Sequence, residues 1–171
     1  MSCKKRGINM KKIILVVAMS LSVWANNVYV KVVNAPIDGV YDSLLKSLSE
    51  NSLTVVSEID ILKKLHEVGS ATKFGKDFNT NNLTGIKSII ACNGKLANDI
   101  ANADPTMMAF CPIRLTLVEQ DGKTTITYAK PTSDSKDSKA YNQLKKLEEK
   151  VIKAIDIKYL NSHINSSKNH Y

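Results

Sequence analysis

Several chemistries are poorly supplied in this chain. It has three cysteines, three histidines, one tryptophan and three phenylalanines among 171 residues. No two cysteines stand as Cys-x-x-Cys, which excludes a thioredoxin-type dithiol motif. No zinc-type cysteine spacing occurs. The seven glycines are scattered, and no glycine-rich phosphate loop is formed. No Ser/His nucleophile-elbow pattern occurs either, so a hydrolase has no supporting constellation. No internal repeat is visible. No apolar run reaches the ~20 residues that a membrane-spanning helix needs.

One apolar run is nevertheless instructive. "MKKIILVVAMSLSVWA" (10–25) opens with two lysines and continues through eleven largely apolar residues, Ile13 to Val23. It closes on Val23-Trp24-Ala25, with modest side chains at the two positions a signal peptidase reads. This predicts a cleaved secretory leader over 1–25, a mature start at Asn26 and a periplasmic or secreted location. No cysteine follows the run to take a lipid, so no stable membrane anchor is expected after cleavage. Cys3 would leave with the leader.

The leader also carries much of the basic excess. The chain holds 24 basic and 16 acidic residues, net +8. Five of the basic residues and none of the acids lie in 1–25, which leaves 19 against 16, net +3, in the mature chain. Its lysines are interspersed with Asp and Glu. That is a solvated surface rather than a nucleic-acid footprint.

Residues 26–160 fit one domain, with a flexible polar tail over 161–171. Strands are predicted at 28–34, 53–61, 84–92, 113–120 and 123–130, from β-branched content and alternation. Asp121-Gly122 between the last two signals a type I′ hairpin. Ile37, Val40, Leu44 and Leu48 mark one face of a helix. Leu96, Ile100 and Ala103 mark a second, ended by Pro105. Leu144, Leu147, Val151 and Ile155 mark a third, over about 139–160. Residues 62–69 read as a short helix. Residues 70–83 read as a long loop without a period, carrying Phe74 and Phe78 as candidate contacts. The order predicts an α+β fold in two layers, a mainly antiparallel sheet covered by helices and free of long crossovers.

"TMMAFCP" (106–112) gathers sulfur. Cys111 precedes a strand and Cys92 ends another. If those strands are neighbours, the intervening helix is an excursion whose ends meet, and a Cys92–Cys111 disulfide is the leading reading. Two buried reduced thiols are the alternative. A metal or haem site built from Cys111 with Met107 or Met108 is another, since thiolate and thioether suit Cu(I) or haem iron. Asp104 before Pro105 reads as a turn or cap residue.

"ACNGKLA" (91–97), "ADPTMMAFCP" (103–112) and "EQDGKTTITYAKP" (119–131) resemble, in order and spacing, the domain-of-unknown-function family 302, especially exported members. The resemblance covers about 28–131. It implies a two-layer α+β fold similar to the TATA-binding-protein half, and homodimers in some relatives. It implies no reaction and no DNA binding. The sequence thus predicts an exported, non-enzymatic binding or interaction module without a cofactor, contacting a small ligand, an envelope protein or a second copy. Phe74, Phe78, Asn93, Met107 and Met108 are its candidate binding residues. A cell-envelope redox, copper or haem protein using Cys92, Cys111 and Met107 or Met108 is the alternative.

Overall fold

A computed structural model describes residues 27–156. The leader, Asn26, the 161–171 tail with His163 and His170, and the last residues expected of the final helix lie outside that range. In chain order the elements are β1 (Val28–Val33), α1 (Ile37–Glu50), β2 (Thr54–Asp60), α2 (Ile61–Glu67), α3 (Ser70–Phe74), β3 (Gly85–Cys92), α4 (Gly94–Ala103), β4 (Ile113–Gln120), β5 (Lys123–Ala129) and α5 (Tyr141–Ile155). Short 3-10 turns cover Gly75–Asp77, Pro105–Phe110 and Pro131–Ser133.

The five strands form one sheet in the order β1-β5-β4-β3-β2, with every neighbouring pair antiparallel. The β4–β5 hairpin turns at Asp121 and Gly122 with φ of 51° and 69°. Both being positive is what a type I′ turn requires, and Asp-Gly tolerates it. One expectation fails. β1 and β2 lie at opposite edges, so α1 carries the chain across the full width of the sheet. A sheet with antiparallel neighbours throughout therefore still contains one long crossover. Consecutive strands in sequence did not reveal it, because α1 can as well connect neighbours.

Alternation decides the two faces. Ile89 and Ala91 of β3, Ile113, Leu115 and Leu117 of β4, Thr124, Ile126 and Tyr128 of β5, and Val33 of β1 are all buried on one side. Over them lie Val40, Leu44 and Leu48 of α1 and Leu144, Leu147 and Val151 of α5, also buried. α4 inserts Ile100 into the same core. Two details fix α1 in place. Its N-cap, Pro36, has no side chain able to cap, and the Glu119 carboxylate of β4 instead accepts the Ile37 N–H at 3.2 Å. Inside the layer, the buried Ser47 hydroxyl donates to the Ala154 carbonyl of α5 at 2.6 Å. Gly85 is glycine for space. A Cβ there would meet the Ile37 side chain at 3.0 and 3.1 Å.

The opposite face is largely uncovered, and Val28, Val30, Val32, Val56 and Ile59 are exposed. Residues 70–83 are not a structureless loop. Ser70–Phe74 forms a single helical turn bracketed by Gly69 and Gly75 with positive φ of 73° and 52°, a length too short to show a period. Beyond it the Asn79 amide closes a loop. It donates to the Leu83 carbonyl and accepts the Leu83 N–H, both at 2.9 Å.

Candidate functional site

The face away from α1 and α5 carries an apolar cleft beneath the short helices α2 and α3. α2 follows β2 at once, because Asp60 caps it by accepting the Lys63 N–H at 2.9 Å. Leu62 and Leu65, three residues apart, then share one side of that short helix. On β3, Gly85 faces α1, so Ile86 faces the other way. Leu62, Leu65, Phe74, Phe78, Leu83 and Ile86 wall a cleft of about 340 Å³. That lies near the lower end of the roughly 300–1,000 Å³ usual for small-ligand sites. Asp77, Thr80 and Asn81 contribute polar rim groups. The structure thus brings Phe74 and Phe78 to one site. Phe78 is half-buried and meets His66 edge-on, ring centroids 5.1 Å apart. Phe74 stays 51% exposed, with the Lys73 ammonium 5.5 Å from its centroid.

The sequence reading did not single out Leu62, Leu65, Leu83 or Ile86. The 62/65 spacing was a usable signal. Ile86 was not, since a strand's face is known only once its neighbours are placed.

A second depression, of about 390 Å³, lies at the other end of the sheet beside Val28, Phe110, Pro112, Arg114, Thr116 and Thr127. Next to it stand the two thiols. Cys92 ends β3, Cys111 leads into β4, and β3 and β4 are neighbours paired from Gly85 with Glu119 to Ala91 with Ile113. The sulfur atoms are 3.5 Å apart as free thiols. Burial, then the Cys92 thiol beside it, pushes the Cys111 thiol up to about 12. So placed, Cys111 is a poor nucleophile near neutrality.

The remaining sulfur diverges. Met107 packs against the core cluster, whereas Met108 is 36% exposed. Among the described residues no group of three or more His, Cys, Asp or Glu side chains is arranged so that it could hold a metal ion. Asn93 is fully engaged in the fold. Its carbonyl caps α4 through the Leu96 N–H at 2.9 Å, and its amide donates to the Ser52 carbonyl at 2.8 Å. Asp104 is a cap as expected. It accepts the Thr106 N–H and hydroxyl and the Ser138 hydroxyl, and these bonds, Thr106 foremost, lower its carboxyl below the usual range. Tyr29 and Tyr41 are raised, first by burial and then by their bonds to Asp156 and Glu58. Both tyrosines tie strands to helices and face away from the cleft.

A single antiparallel sheet with α1 and α5 over one face, and an apolar cleft beneath the short α2 and α3 on the other, defines a two-layer α+β domain. The family described as "Domain of unknown function DUF302" matches residues 29–157, and the chain belongs to it. Among solved structures, an uncharacterized conserved protein DUF302 from Bacillus stearothermophilus is similar. It aligns with a TM-score of 0.66 at 22% identity, covering 77% of this chain and 98% of that one. At that identity the likeness speaks for the fold. No curated protein matches the chain.

Proposed function

We propose that this chain is an exported, non-enzymatic binding module of the cell envelope, periplasmic or secreted, taking a small apolar ligand in the cleft between α2–α3 and β3. One observation carries the reading. Six apolar side chains from three separate segments converge on the face away from the core, and one of them, Phe74, is left half in solvent. An aromatic ring kept there gains little for stability, and its apolar surface is available to a ligand. Export rests on the lysine-led apolar leader and its small-residue end. The test is native mass spectrometry of protein gently isolated from the envelope. An apolar small molecule that co-purifies, and is lost in Phe74→Ser, supports the reading. Protein that carries nothing and binds neither acyl chains nor aromatic compounds removes the cleft from the functional argument.

A second reading rests on the sulfur contact. The 3.5 Å approach of Cys92 and Cys111 supports a disulfide in the oxidising envelope. It also supports the alternative of a redox, copper or haem protein using Cys92, Cys111 and Met107 or Met108. An absorbance spectrum and metal analysis of the isolated protein separate the two. A chromophore or stoichiometric copper favours the second. Zero free thiols with no metal favours the disulfide.

A further inference from the structure

Five polar side chains are buried among the described residues, those of Ser47, Ser70, Ser88, Thr124 and Ser135. Four are satisfied inside the fold. Ser47 donates to the Ala154 carbonyl, Ser88 to that of Leu115, Thr124 to that of Ala35 and Ser135 to that of Pro131. Buried hydroxyls ordinarily find such partners. Ser70 is the exception. It is 6% exposed, and its hydroxyl bonds to no group among the described residues. The local backbone gives the reason. Gly69, with φ of 73°, breaks the helical path between α2 and α3. Ser70 therefore does not stand over a preceding turn, whose carbonyl a helical serine would bond.

This hydroxyl belongs to the apolar cleft, because Ser70 lies on the cleft wall. Among the described residues, the partnerless side-chain atoms sealed from solvent are those of Tyr128 and Gln143. The Ser70 Oγ is not one of them, so it is reached through the cleft it lines. An apolar wall with one unsatisfied polar atom discriminates against a ligand that cannot bond that atom.

Charge narrows the choice of ligand. No lysine or arginine lines the cleft, and its one charged wall residue is Asp77. The Lys73 ammonium lies over the Phe74 ring, 5.5 Å from its centroid, and is not part of the wall. A carboxylate head beside Ser70 would be buried without a counter-charge and near another carboxylate. Phe74 and Phe78 offer ring faces and edges to an aromatic body.

We infer, on the reading that this cleft is the binding site, that Ser70 is its polar anchor and that its ligand is a small uncharged aromatic molecule with an N–H or O–H donor, which the Ser70 Oγ accepts. Indole and indene are the matched probes. They have nearly the same shape, and indene has a CH₂ where indole has the N–H. Affinities are read from amide chemical shifts of the cleft residues, in the wild type and in Ser70→Ala. The ratio of indole to indene affinity should fall about fivefold in Ser70→Ala, the worth of one net hydrogen bond. The urea midpoint of the unliganded variant should not fall, because the hydroxyl has no partner in the fold to lose. In wild-type protein, nuclear Overhauser contacts should place the indole N–H beside the Ser70 β-protons, a readout that needs no variant. A ratio that Ser70→Ala leaves unchanged overturns the inference, whether or not the midpoint falls. So do contacts that place the N–H away from Ser70. In either case both probes still bind at the cleft, and the cleft stands as a purely apolar site. If neither probe binds there, this inference and the proposed function fall together.

Discussion

The sharpest stability prediction concerns Cys92 and Cys111. The proposed Cys92–Cys111 disulfide would close a loop of about 20 residues, so reducing it, or changing both residues to serine, should cost about 3 kcal/mol in the chain-entropy account. The two sulfur atoms already lie 3.5 Å apart, so the pair is placed side by side for oxidation. With an unfolding entropy of about 2.1 cal/mol/K per residue over the 130 residues from 27 to 156, 3 kcal/mol corresponds to roughly 10 °C in Tm. In urea, at a slope of ~1.5 kcal/mol/M, it is about 2 M in midpoint. The assay is urea unfolding of exported protein with and without reductant, with thiols counted in the denatured, non-reduced sample. Two titratable thiols before reduction, or a midpoint indifferent to reductant, refute the reasoning.

In reduced native protein at pH 8, Cys92 alkylates well before Cys111, whose thiol is pushed up to about 12; peptide mapping against time reads the order. Because that value is raised, its contribution to stability is complete below the ordinary thiol range near pH 9 and is lost as pH rises toward 12. Reduced protein should therefore lose more stability over that window than protein with both cysteines changed to serine. Gly85→Ala should cost about 1–3 kcal/mol by crowding Ile37, and the loss should shrink in an Ile37→Val background, a coupling that a double-mutant cycle measures. Ser47→Ala leaves the buried Ala154 carbonyl without its 2.6 Å partner and should cost about 1–2 kcal/mol in chemical denaturation.

Much of the fold was legible because it follows from short-range pattern. The 37/40/44/48 and 144/147/151/155 spacings name the buried faces of α1 and α5 directly. Asp121-Gly122 fixes the hairpin, and β4 and β5 alternate as written. What escaped is what needs the third dimension. α1 crosses the whole sheet, and nothing in its residues states where β2 will dock. α3 is one turn long, below the reach of any period. The candidate site was half visible: Phe74 and Phe78 stood out as aromatic residues in a polar stretch. Their partners Leu62, Leu65 and Ile86 look like ordinary core residues until the sheet's second face is known. Asn93 and Asp104 show the opposite case. Their helix-cap geometry accounts for them fully, through bonds to Leu96 and Thr106.

The central claim, that the α2–α3 cleft is the binding site, is tested most directly by amide chemical-shift mapping. Isotope-labelled protein is titrated separately with a medium-chain fatty acid and with indole. The account predicts saturable shifts for at least one of them, confined to Leu62, Leu65, Phe78, Leu83, Ile86 and their neighbours, and weakened severalfold in Phe74→Ser while the rest of the spectrum stays in place. Saturable shifts that cluster elsewhere, or a response that Phe74→Ser leaves untouched, would contradict it.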